Sequence, residues 1–298
     1  MMIIYIITAC DTESMAQSWQ VDRLRVLAVA ATPAEPRPGD LVTFDALILS
    51  PAVPVGGSAW FVCSASASSE FGCEIDTSSL SGASADEIDF AALQAAGLIG
   101  YLPDLPPVWL VPPDFLDALP EADRLEGTFA MTYITAFPEV EEGAEVAEED
   151  VEIAYKRVPV SLAQTPNRNP GFAGWSVDGF PVADGATVRL DPAQAYTIEA
   201  RLADDAVETY TFRTEAGKDE ERTEEPYLSW YLQEGSFDQT NTLYPFDEVV
   251  YFAPDQPTLK SQALWVVIRD RRGGMGWGTL NLSFDVTEVA ERQRALRR

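Results

Sequence analysis

The chain has 298 residues, with 20 Lys and Arg against 48 Asp and Glu, no histidine, and a formal net charge of -28 at pH 7. This acidity argues against a nucleic-acid partner, which needs clustered cations to meet phosphate. The absence of histidine removes Ser-His-Asp and Cys-His catalysis and every imidazole zinc site, and three cysteines cannot complete a four-cysteine one. At 46% hydrophobic and 10% aromatic residues the chain can build packed cores, and its length suits about two domains.

Residues 1–10 form an apolar run ending in a cysteine. Ile7-Thr8-Ala9-Cys10 resembles a bacterial lipobox, in which small residues precede a cysteine that is lipidated after leader cleavage. The polar Asp11-Thr12-Glu13-Ser14 that follows reads as the tether of a mature lipoprotein, so residues 1–20 are assigned to leader remnant and tether. No Lys or Arg precedes the run and it is short for a leader, departures that a misplaced start codon explains. The competing reading is an apolar strand with a buried cysteine. If Cys10 carries lipid, Cys63 and Cys73 are left as an even pair suited to a disulfide in an exported protein. Two reduced buried thiols are the alternative.

From residue 21 onward the chain reads as strands broken by Pro and Gly. Strands are expected at 22–29, 41–49 and 58–63, with Pro33-Ala-Glu-Pro-Arg-Pro-Gly-Asp40 turning the chain between the first two. Residues 64–125 read as an insertion: a small, polar loop to 84, a helix over 86–96 stopped by Gly97, and a helical turn over 112–119. Strands resume at 127–137 and 151–162. Between them, 139–152 holds eight acidic residues without an Asp-x-Asp-x-Asp-Gly pattern, so it reads as a solvated hairpin end rather than a calcium loop.

Pro166-Asn-Arg-Asn-Pro170 reads as the junction between a first domain, 21–163, and a second, 164–286. In the second, strands are expected at 187–190, 196–202, 207–213, 227–232, 249–252, 263–269 and 277–286. Seven short strands in this span fit an immunoglobulin-type sandwich. The acidic 219–225 is placed on a connection, and 287–298, with four arginines, as a tail or short helix. The expected fold is therefore all-β: two tandem immunoglobulin-like β-sandwiches, the first carrying a loop and short-helix insertion.

Trp19 to Val29, the Pro33–Asp40 turn and the Asn167–Pro170 junction resemble predicted lipoproteins of myxobacteria and related bacteria. Leu228–Gly235, Phe252-Ala-Pro254 and Leu264–Gly274 resemble immunoglobulin-like and PKD-like domains, in which a late strand ends in Asp and a Gly turn. The resemblance implies a fold and an envelope address, and supplies no catalytic residues.

Motifs for chemistry fail on spacing. Gly273-Gly-Met-Gly-Trp-Gly278 does not fit a phosphate loop and suits a hairpin turn. Gly56-Gly-Ser-Ala-Trp60 lacks the last glycine of a nucleophile elbow, and none of the three lysines completes Ser-x-x-Lys. The preferred expectation is a non-enzymatic extracytoplasmic lipoprotein, a structural or protein-interaction module held to a membrane through Cys10, with no cofactor. Its partner is an unknown envelope protein or a glycan. A surface carbohydrate-binding module is the second reading, with Trp175 and Trp277, beside glycines near loops, as exposed ligand contacts. A histidine-free carboxylate-pair glycosidase is the third.

Overall fold

The computed structural model describes residues 18–64, 93–94, 97–101, 105–141, 144, 146–214 and 217–284. Cys10, Cys73, most of the expected 86–96 helix and the expected 287–298 tail lie outside these residues; within that helix span, Leu93 and Gln94 are helical.

The first sandwich is built from β1 (Arg25–Thr32), β2 (Leu41–Leu49), β3 (Val55–Ser64), β4 (Leu98–Gly100), β5 (Val108–Leu110), β6 (Thr128–Pro138) and β7 (Glu152–Val160). One sheet has the order β1-β2-β5 and the other β4-β3-β6-β7. β6 shows why these residues make strands. Ala130, Thr132, Ile134 and Ala136 point inward and are fully buried, while their odd-numbered neighbours face out, the period-2 pattern of a pleated strand with one side in the core. Phe44, Trp60, Trp109, Ile134, Val158 and others close the core between the two sheets.

The second sandwich follows from β8 (Phe172–Val177), β9 (Phe180–Val182), β10 (Thr187–Leu190), β11 (Ala195–Leu202), β12 (Thr209–Arg213), β13 (Asp219–Thr223), β14 (Tyr227–Leu232), β15 (Ser236–Phe237), β16 (Asn241–Leu243), β17 (Glu248–Phe252), β18 (Ser261–Arg269) and β19 (Met275–Phe284). Its sheets run β15-β17-β11-β8-β9 and β10-β19-β18-β14-β16, with β10 parallel to β19 and the other pairs antiparallel. Both sandwiches follow the immunoglobulin-type division of strands between sheets, A-B-E against C-F-G, and both bury a tryptophan on the strand that leads the second group. These are Trp60 on β3 and Trp230 on β14. Trp230 lies 6.2 Å from Trp175 between ring centroids, and its indole N–H donates to the Thr242 hydroxyl at 3.1 Å.

Three expectations need correction. The 64–125 segment is not all insertion: β4 pairs with β3 and β5 with β2, so both sheets recruit strands from it. The expected helical turn at 112–119 is a series of turns, with the N–H of Phe115, Asp117 and Leu119 each donating three residues back. The acidic 219–225 is not simply a connection, because Asp219–Thr223 is β13, paired with β12 in an exposed hairpin. Arg222 relieves its charge, stacking over Phe212 of β12 at 3.7 Å and pairing with Glu220 of its own strand at 3.3 Å.

β18 carries the contact between the sandwiches. Leu264, Val266 and Ile268 fill the second core, while Trp265 and Val267 on the opposite face pack with Leu27, Ala28 and Leu47 of the first sandwich. Val267 is fully buried although it points away from its own core. The chain also enters over the second sandwich: the Val21 N–H donates to the Leu232 carbonyl at 2.8 Å and Trp19 packs edge-on to Phe237. Only then does it begin β1.

Candidate functional site

The densest polar chemistry lies at the junction of the two sandwiches. It begins in the Asp270–Gly274 turn between β18 and β19. Asp270 is 2% exposed, and its Oδ1 accepts the N–H groups of Arg272, Gly273 and Gly274 at 2.7–2.9 Å. Its Oδ2 accepts the Asn167 side-chain amide at 2.8 Å. Burial raises the Asp270 carboxyl above its ordinary value, and these four hydrogen bonds to the charged form oppose that rise. The Gly273-Gly274 pair is sterically required at the second position: a Cβ on Gly274 would stand 2.0 Å from Asp270 Oδ2 and 2.6 Å from the Arg168 carbonyl.

From the first sandwich, Lys156 on β7 is buried and its ammonium donates to the Gly273 carbonyl. Burial lowers it to about 8 from 10.5; Asp270 opposes the fall and Arg269 adds to it. Glu35, from the turn before β2, accepts the Ser161 hydroxyl at 2.5 Å and the Asn167 backbone N–H at 2.6 Å. Arg272 joins the parts, pairing with Glu224 at 2.9 Å, Glu35 at 3.5 Å and Glu208 at 3.6 Å while stacking over Tyr210 at 4.1 Å. Burial raises Glu224, whereas the Glu208 N–H and Arg272 hold it down. Asn169 completes the clamp: it donates to the Ala31 carbonyl at 2.8 Å and accepts the Met275 N–H at 3.0 Å.

Beside this network opens a cleft of about 340 Å³ lined by four arginines, Arg157, Arg269, Arg271 and Arg272, and, among the described residues, by no carboxylate. Phe129 and Tyr227 form its walls. Arg157 lies 4.9 Å over the Phe129 ring, and Arg269 and Arg271 lie 5.5 and 5.9 Å from the Tyr227 ring. Arg269 also donates to the Leu27 carbonyl and the Ser229 hydroxyl, neutral acceptors both. Arg271 adopts φ +69, a left-handed conformation that favours Gly or Asn.

The residues expected as ligand contacts are elsewhere. Trp175 is fully buried in the second core, with its indole N–H donating to the Thr279 carbonyl at 3.0 Å, so it is not an exposed contact. Trp277 is half-buried against the apolar cluster between the sandwiches. The glycines that flank it serve packing: a Cβ on Gly276 would meet the Pro170 carbonyl at 2.3 Å, and one on Gly278 the Phe172 ring at 2.2 Å. Cys63 sits near the end of β3, opposite Met131 of β6. The 139–152 acids lie on the connection between β6 and β7 and at the start of β7. Among the described residues no three His, Cys, Asp or Glu gather as a metal site, and no helix is long and apolar enough to cross a membrane.

No family model and no curated protein matches the sequence. Among solved structures, the N-terminal Ig1-2 module of the Drosophila receptor protein tyrosine phosphatase DLAR matches at 9% identity and a TM-score of 0.27, covering 89% of this chain and 100% of that one. Murine CEACAM1b matches at 11% identity and a TM-score of 0.23, covering 87% and 100%. The D00-D0 domain of Intimin matches at 10% identity and a TM-score of 0.21, covering 86% and 97%. None of these likenesses bears on what this chain binds.

The junction residues carried weak signals. Asp270 precedes the Gly-Gly turn, and Asn167 and Asn169 lie within the proline-bounded linker. Lys156 is in phase with inward-facing Val158 and Val160 on β7, an unusual place for one of only three lysines.

Proposed function

We propose that the chain is a non-enzymatic extracytoplasmic lipoprotein, held to a membrane through Cys10 and acting as an interaction module of the bacterial cell envelope. The observation that carries the reading is the junction. The most elaborate constellation of buried charge couples two sandwiches to each other, as suits a body that presents a fixed surface. Its carboxylates are committed to Arg272, Arg168 and backbone N–H groups, which leaves no free pair in catalytic posture there. The entry of the chain over β14 favours a tether leaving from the second sandwich. The position of Cys63 at the end of β3, ten residues before Cys73, favours a disulfide between them, closing a loop short enough to stabilise by about 2–3 kcal/mol.

Metabolic labelling with a palmitate analogue tests the anchor. The native chain is expected to incorporate it and Cys10→Ala to lose both label and membrane fractionation. An unlabelled native chain removes the lipoprotein reading. Non-reducing mass spectrometry is expected to recover a Cys63–Cys73 peptide, and free alkylatable thiols at both positions contradict export.

A further inference from the structure

We infer that the arginine cleft at the junction is a glycan-binding site, taking the carboxylate of a single uronic acid residue within an otherwise neutral saccharide. The inference deepens the interaction-module reading and rests on it only for where the ligand is met.

Charge is the first ground. In a chain of net charge -28, four arginines converge on one cleft that, among the described residues, no carboxylate lines. Arg272 is consumed by Glu35, Glu208 and Glu224. The other three are not. Among the described residues Arg157 and Arg269 form no ion pair, and Arg271 makes one loose pair with Glu225 at 4.0 Å, with both side chains more than half exposed. Grouped guanidiniums repel one another unless an anion joins them, and their fork geometry matches a carboxylate in a bidentate pair. Arg271 occupies a left-handed backbone position that Gly or Asn would hold more easily, so the side chain is present despite a local conformational cost.

Shape is the second ground. The cleft volume of about 340 Å³ lies at the lower end of the range of small-ligand sites. Arg157, which lines the cleft, shares the outer face of β7 with Ile153 and Tyr155. Tyr155 is 53% exposed and is braced edge-on by Tyr133 at 5.2 Å, and Ile153 beside it is 47% exposed. An aromatic face next to an unpaired guanidinium suits a sugar ring that offers apolar C–H bonds on one side and a carboxylate at its rim. A peptide strand added to the sheet edge is disfavoured, because β7 lies beside β1 and Glu152 pairs with Arg25 at 3.9 Å. A long polyanion would meet the negative field of the remaining surface, whereas a saccharide with one charged ring meets the cleft alone.

Isothermal titration of the full chain with an aldotetraouronic acid, one glucuronate on xylotriose, tests this against neutral xylotetraose, hexaglutamate and inorganic phosphate. The acidic saccharide is expected to bind at least about tenfold more tightly than the other three, the discrimination of one charge-assisted bidentate contact. Arg157→Gln and Arg271→Asn are each expected to weaken it about tenfold, and Tyr155→Ala to weaken it with unchanged salt dependence. All three side chains are exposed, and circular dichroism matching the native spectrum confirms folding. Absent binding, equal binding of hexaglutamate or phosphate, or indifference to Arg157→Gln overturns the inference. Palmitate labelling reads the anchor separately, so either result can fail alone.

Discussion

Lys156 offers a test of the junction that needs no ligand. The residue is 3% exposed, and burial lowers its ammonium from 10.5 to about 8. Between those values the unfolded chain holds the proton and the folded protein does not, so stability rises with pH across that window. Below about pH 8 the folded state bears the full cost of a buried charge, about 3 kcal/mol for this displacement. That cost is relieved at about 1.4 kcal/mol per pH unit, or about 2–3 kcal/mol between pH 8 and 10. Tyr251 acts in the opposite sense but later: burial holds its phenol above the usual 10, so its stability contribution declines only from about pH 10 upward. Urea unfolding of the native chain and Lys156→Met, followed by tryptophan fluorescence from pH 7 to 10, separates the effect from titrations common to both. The native chain is expected to gain about 2–3 kcal/mol relative to the variant over pH 8–10. A difference that stays flat over this range would refute the buried, deprotonating lysine.

Two further perturbations probe the same region. Asp270→Ala strands the N–H groups of Arg272, Gly273 and Gly274 and leaves Lys156 without its nearby anion, so denaturant unfolding is expected to show a loss of about 3–5 kcal/mol. Gly276→Ala places a Cβ 2.3 Å from the Pro170 carbonyl, a backbone atom with little room to retreat. It is expected to cost about 1–3 kcal/mol, while Ala at exposed Gly185, which has nothing within 4 Å, registers only its positive-φ strain.

Much of the fold was legible because the strands follow period-2 burial and Pro or Gly ends them. The 41–49, 187–190 and 227–232 expectations coincide with β2, β10 and β14. β4 and β5 were not legible: three residues give no periodicity, and their membership of the sheets is decided by pairing with β3 and β2, distant in sequence. β13 was hidden by its charge, since its strand state depends on pairing across a hairpin, as of Arg222 with Tyr210, rather than on apolar alternation. In β18 the unbroken Ala-Leu-Trp-Val-Val-Ile run is itself a signal of burial on both faces, and the second face is the junction.

The site was less legible than the fold for the same reason. Trp175 and Trp277 stand beside glycines, which near a predicted turn suggested exposure. The glycines are there because Val182, Pro170 and Phe172 approach too closely for a Cβ. The arginines of the cleft are scattered from 157 to 272, and only the docking of β7 against the β18–β19 turn brings them together. Charge composition argues only against a nucleic-acid partner, whereas charge placement gathers four arginines on one cleft.

Differential scanning calorimetry of the full chain tests most directly whether the junction makes the two sandwiches one mechanical unit. A coupled pair is expected to unfold in one transition whose calorimetric and van't Hoff enthalpies agree, and Val267→Asp, which puts an unpaired charge into the buried contact, is expected to split it into two. Two separate transitions in the native chain, unchanged by Val267→Asp, would contradict the account.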